Sequence, residues 1–129
     1  MAAETAMPIL VVDDYPTMIR IMRDLLRQIG FDNVSEAADG SAALAKMREK
    51  QFALVISDWN MEPMNGLELL QEMRSDDKLK DLPFIMVTAE SKTDKVITAK
   101  QAGVDNYIVK PFNAATLKAK INAIMAEAG

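Results

Sequence analysis

The sequence predicts an α/β fold in which a parallel sheet is covered on both faces by helices. Three observations carry that prediction. Four short apolar runs and one weaker strand candidate, Asn33 to Ala37, recur along the 129 residues. Between them lie segments whose apolar residues recur at three- and four-residue steps, the period of an amphipathic helix. Strand and helix therefore alternate, and right-handed crossovers between such units place every strand C-terminus on one edge of the sheet.

The predicted elements follow in order. Pro8-Ile9-Leu10-Val11-Val12 reads as a strand ending in Asp13-Asp14. Met18, Ile19, Met22, Leu25, Leu26 and Ile29 mark one face of a helix, with Arg20, Arg23, Asp24 and Arg27 on its wet side. Pro16 suits the first turn, where no N–H is needed, and Gly30 suits the exit. Asn33 to Ala37 reads as a short strand, and Ser41 to Lys50 as a helix offering Ala42, Leu44, Ala45 and Met47 for packing. The run Ala53-Leu54-Val55-Ile56-Ser57-Asp58 fits a strand buried on both faces, delivering Asp58 at its C-terminal end. A long loop leads to a helix from about Gly66 to Ser75, using Leu67, Leu70 and Met73. Leu82 to Val87 is the next strand, ending at Thr88; a polar helix from Lys92 to Ala102 follows, closed by Gly103. Asn106 to Val109 is the last strand, ending at Lys110-Pro111, and a helix from Ala114 to Ala126 turns Leu117, Ile121, Ile124 and Met125 inward.

Composition narrows the chemistry. The length suits one domain over residues 1–129, with 1–6 a short flexible extension. A formal charge of −4 with no basic tract argues against a nucleic-acid surface. With neither cysteine nor histidine, disulfides, thiol nucleophiles, Ser-His catalysis and ordinary zinc sites are excluded. A bound metal would need oxygen ligands, which favours Mg²⁺, Mn²⁺ or Ca²⁺. No apolar run reaches the length of a membrane span and no signal peptide is evident, so a cytoplasmic protein is expected.

The predicted sheet edge gathers Asp13, Asp14, Asp58, Thr88 and Lys110. Taken singly, each has an ordinary explanation: an acidic pair favoured by a helix dipole, an Asp capping a loop, a threonine or a lysine ending a strand. Together they make a site. Two carboxylates about 4 Å apart repel by roughly 4 kcal/mol at an effective dielectric near 20. Three of them require more positive charge than one lysine supplies, so either a pKa rises or a hard cation binds. With a cation present, Asp58 has the chemistry of an aspartyl nucleophile for phosphoryl transfer, and Lys110 and the Thr88 hydroxyl suit the oxygens of the moving group.

These residues carry a resemblance. Val12-Asp13-Asp14, Val55 to Met61, Gly66-Leu67-Glu68-Leu69-Leu70, Met86-Val87-Thr88-Ala89-Glu90, Gln101-Ala102-Gly103 and Val109-Lys110-Pro111-Phe112 resemble a response-regulator receiver domain, most closely its single-domain chemotaxis type. The resemblance covers nearly the whole chain. It implies a flavodoxin-like, doubly wound five-stranded parallel sheet of order 2-1-3-4-5 with five helices, an arrangement for which a chemotaxis regulator is the standard example. It implies that Asp58 is the phosphoacceptor of a histidine kinase, and that Asp13, Asp14, Asp58 and the Asn60 backbone carbonyl hold Mg²⁺, with Mn²⁺ a possible substitute. Lys110 and Thr88 would read the phosphoryl group. Tyr107 would then turn inward and alter an output face that includes Lys92 and Lys120, most directly for a flagellar switch protein. The implied protein is a monomeric signalling module, assisting its own phosphorylation and dephosphorylation without being an enzyme.

Two departures from the family pattern stand out. The loop after the acceptor normally reads Met-Pro-x-Met-Asp-Gly; here it is Met61-Glu62-Pro63-Met64-Asn65-Gly66. Glu62 therefore joins Asn60 and Glu90 as an expected modifier of kinetics. Tyr15-Pro16 stands where the chemotaxis type has Phe-Ser. Within the family, a phosphorelay or phosphate-sink role competes with motor control. Outside it, a phosphatase working through an aspartyl phosphate would want an acid two residues after the nucleophile, where Asn60 stands. An FMN carrier would place phosphate against Asp13-Asp14, which repel it.

Overall fold

The computed structural model describes residues 7–89, 93–110 and 112–128. Five parallel strands, β1 (Ile9–Val12), β2 (Val34–Ala37), β3 (Leu54–Asp58), β4 (Phe84–Thr88) and β5 (Asn106–Val109), form one sheet of order β2-β1-β3-β4-β5. Between and after them run α1 (Pro16–Gln28), α2 (Gly40–Glu49), α3 (Gly66–Ser75), α4 (Thr93–Gln101) and α5 (Ala114–Ala128). The alternating side chains of the strands divide the core in two. Leu10, Val12, Val55, Phe84 and Met86 face Ala43, Leu44, Met47, Leu69, Leu70, Met73 and Ala99, from α2, α3 and α4. Ile9, Val11, Leu54, Ile56, Ile85 and Val87 face Ile19, Met22 and Leu26 of α1 and Leu117, Ile121 and Ile124 of α5. β1, β3 and β4 are buried along their whole length, which is why they read as continuous apolar runs.

Element boundaries follow local chemistry. Pro16 is the first residue of α1, and Gly30 takes φ 104° just beyond its end. α2 starts at Gly40, a residue before the expected Ser41, because the Asp39 carboxylate caps it by accepting from the Ala42 N–H at 2.9 Å. Its inward face is Ala43, Leu44 and Met47; Ala45 is exposed. α3 carries a reciprocal capping box between Asn65 and Glu68. β4 begins at Phe84 and not at Leu82, since Pro83 has no N–H to give the ladder. Arg23, expected in solvent, lies half-buried and bonds both the Val34 carbonyl and Glu36. β2 is an edge strand with a free side, and a long arginine stem reaches it.

One arginine ties two connections together, the α3–β4 and the α4–β5 loops. Arg74 of α3 donates to the carbonyls of Gly103, Lys80 and Leu82 and pairs with Asp105, which also accepts the Phe84 N–H at 2.7 Å. Arg74→Met is expected to lower unfolding free energy by about 2–3 kcal/mol in urea titrations, because the charged hydrogen bonds go while the acceptors stay. A loss under about 0.5 kcal/mol, the ordinary surface value, would show that water replaces the guanidinium freely.

Candidate functional site

The strand register alone assembles the site. Val12 pairs with Ser57, so Asp13 and Asp58 each lie one step beyond a matched pair. Asp58 sits opposite Val87, which puts Thr88 one step further, and Thr88 sits opposite Val109, which puts Lys110 next. All five residues therefore occupy the C-terminal edge of the three central strands and β5. Ligand-bearing carboxylate oxygens of Asp13, Asp14 and Asp58 lie within 4.8 Å of one another. The Lys110 ammonium is 3.2 Å from Asp58 Oδ1 and 3.9 Å from Asp13 Oδ2.

Backbone contacts hold these groups in place. The Asp13 N–H donates to the Ala37 carbonyl, and Asp13 Oδ1 accepts from the Tyr15 N–H at 3.0 Å. The Lys110 N–H donates to the Thr88 carbonyl at 2.8 Å. Behind Asp58, the Ser57 hydroxyl donates to the Asp58 carbonyl and the Gly66 N–H to the Trp59 carbonyl. A Cβ added at Gly66 would collide with the Asp58 carbonyl oxygen and fall 3.0 Å from Trp59 Cα. Gly66→Ala is therefore expected to displace the loop after Asp58 and cost about 1–3 kcal/mol of stability, read by thermal unfolding. An unchanged melting temperature would mean the loop gives way without strain.

Asp13, Asp58 and Thr88 are buried, Asp14 is exposed, and Lys110 is three-quarters covered. Burial is the main reason the Asp13 pKa is raised from 3.8 to about 6; the Tyr15 N–H opposes it, Asp58 and Asp14 add to it, and Lys110 opposes it. Asp58 is likewise raised by burial, against the pull of Lys110. One ammonium leaves the three carboxylates short of positive charge. Their oxygens are the donors a hard divalent cation takes, so the residues fit such an ion.

The remaining expected residues fall as follows. Asn60 and Glu62 are exposed on the loop beyond Asp58. Tyr107 on β5 and Lys120 on α5 are half-buried. Glu90 and Lys92, like Pro111, lie outside the described residues. Trp59, whose surroundings sequence leaves open, is buried with Tyr107 against its ring. Sequence reading passed over the Ser57 hydroxyl and Lys95, which lies over Trp59. Only the three-dimensional packing pairs them with the loop. A broad cleft of about 780 Å³, lined by residues including Phe52, Leu79 and Pro83, opens where β3 and β4 begin and holds none of these groups.

Residues 9–122 match the family of response regulator receiver domains. The chain belongs to that family. It is 52% identical over 118 residues to the chemotaxis protein CheY-3 of Vibrio cholerae, covering 92% of this chain and 91% of that one. Against the chemotaxis protein CheY of Pseudomonas aeruginosa the identity is also 52%, over 92% and 95%. Among solved structures, the V. cholerae chemotaxis protein CheY4 superposes with a TM-score of 0.85 at 34% identity, over 92% of this chain and 98% of that one. A putative response regulator from Chloroflexus aurantiacus gives 0.88 at 29%, over 94% and 98%. The chain is thus a CheY-like receiver, and its relatives are signalling proteins and not classical enzymes. The sheet order expected from the resemblance is the order observed.

Proposed function

We propose that this receiver accepts a phosphoryl group on Asp58 from a chemotaxis histidine kinase and thereby changes the affinity of its α4–β5–α5 face for a flagellar switch protein. The observation that carries the proposal is the Lys110 ammonium 3.2 Å from Asp58 Oδ1 within the carboxylate triad. An Asp58 carboxylate oxygen attacks phosphorus, and the bond from phosphorus to the donor's nitrogen or oxygen breaks, its electron pair leaving with the donor. Asp13, Asp14, Asp58 and the Asn60 backbone carbonyl would hold Mg²⁺, or Mn²⁺ in its place. When bound, the ion neutralises phosphoryl oxygens and the crowded carboxylates. Lys110 leaves Asp58 to neutralise an oxygen of the transferred group, and the buried Thr88 hydroxyl takes another. That shift of Thr88 gives Tyr107 room to turn inward, changing the surface to which Lys92 and Lys120 contribute. Asn60, Glu62 and Glu90 at the rim set how long the phosphate lasts. The protein works in the cytoplasm as a monomer, and no described helix is long and apolar enough to cross a membrane.

The test is incubation with a small-molecule phosphodonor, with and without Mg²⁺, followed by intact mass. A gain of one phosphoryl group only with Mg²⁺ is expected; no gain overturns the proposal. Lys110→Ala is expected to keep Mg²⁺ binding while losing the increase in affinity for the switch protein's N-terminal peptide on phosphorylation. Pull-downs with and without a phosphoryl mimic read that difference. An increase equal to the parent's would remove Lys110 from the switch.

A further inference from the structure

Trp59 is the single tryptophan of the chain, follows the acceptor directly and is 5% exposed. Two side chains from other elements meet its ring. Tyr107 of β5 packs edge-on, with centroids 6.4 Å apart and planes at 73°. The Lys95 ammonium of α4 lies 5.1 Å from the ring centroid, within the range of a cation–π contact. The tip of β3, the first turn of α4 and the edge strand β5 thus meet on one indole.

Lys95 is poorly placed for the helix that carries it. It is the third residue of α4, where the helix dipole disfavours a cation. Among the described residues its ammonium forms no ion pair. A residue that breaks a local rule and meets a functional loop instead points to that loop. α4 is also lightly docked: of its described side chains only Ala99 is buried, while Ile97 is 48% exposed. In a helix with so little core contact, one tether carries a large share of the hold.

We propose that Lys95 is a positioning residue that fastens the first turn of α4 to the indole of Trp59, and so passes a change at Asp58 on to α4. The proposal rests on the phosphoacceptor reading above. Any movement of the loop beginning at Trp59 shifts the ring face that the ammonium occupies. The cation follows the ring, and α4 follows the cation. Tyr107, on the same ring, is drawn into the same movement, so the helix and the edge strand respond together.

Two substitutions test it. Lys95→Met keeps the aliphatic stem without the charge, and Lys95→Arg keeps the cation. Acrylamide quenching of Trp59 and amide exchange across residues 94–101 are measured with and without Mg²⁺ and beryllofluoride, a phosphoryl mimic. In Lys95→Met, α4 exchange and Trp59 quenching are expected to rise roughly threefold. The beryllofluoride response should persist in the loop after Asp58 and vanish from α4, while Lys95→Arg restores both. Parental quenching and α4 exchange in Lys95→Met, or an arginine variant that behaves like methionine, overturns the proposal. If the parent responds nowhere to beryllofluoride, the acceptor reading itself falls and the proposal with it. The quenching comparison without the mimic is independent of that reading, so the two failures are told apart.

Discussion

Asp58→Asn is expected to abolish acyl-phosphate formation while the protein stays folded. The amide has the shape of the carboxylate but no nucleophilic anion, so phosphorus has nothing to bond to. The parental charge is already costly where it sits: burial raises its pKa, with Lys110 pulling the other way. Exchanging it for a neutral group of equal volume removes one of three mutually repelling carboxylates. The variant's urea midpoint should therefore equal or exceed the parent's. Intact mass after treatment with phosphodonor and Mg²⁺ should show no adduct. An adduct that survives the substitution would place the acceptor elsewhere. A collapse of the circular-dichroism signal would return Asp58 to a structural role.

How far sequence reaches into this fold is set by the range of the interactions involved. β1, β3 and β4 were legible because a strand covered on both faces has to be apolar at every position. Their tips were legible as a group because parallel crossovers send all strand ends to one edge, so sequence alone brings Asp13, Asp58, Thr88 and Lys110 together. The order of the strands came from the family resemblance, since alternation alone permits several. Contacts made by long side chains were not legible. Periodicity put Arg23 in water, yet it reaches the edge of β2, and nothing local marks Arg74 as the clasp of two connections. Lys95 is similar: its helix offers no reason for a cation there, and only the folded position of Trp59 supplies one.

Asp13 should make the metal-free protein less stable as pH rises. Its pKa in the folded state, about 6, lies above the usual 3.8, so the folded chain holds that proton more tightly than the unfolded one. Stability then falls as pH climbs from about 4 to about 6 and levels off above, and at 1.36 kcal/mol per pKa unit the loss is about 3 kcal/mol at most. Asp58, displaced in the same direction, adds to the slope. Urea titrations in EDTA at pH 4.5 and 7 should show this decline in the parent and a smaller one in Asp13→Asn, the difference isolating Asp13 from the other carboxylates. At pH 7 the asparagine variant should be the more stable by about 1–3 kcal/mol. Mg²⁺ is expected to reverse the ranking, since only the parent would offer it the full set of carboxylate donors; its stabilisation should grow with concentration as binding to the folded state requires. Protons compete for the same oxygens, so that gain should weaken below pH 6. Equal pH slopes in parent and variant would mean the Asp13 carboxylate is better solvated than its burial implies. Equal Mg²⁺ stabilisation would mean the ion sits elsewhere. On the proposed reading, the crowding of negative charge that costs the metal-free protein stability is also what would draw a cation to these oxygens, so activity and instability would have one cause.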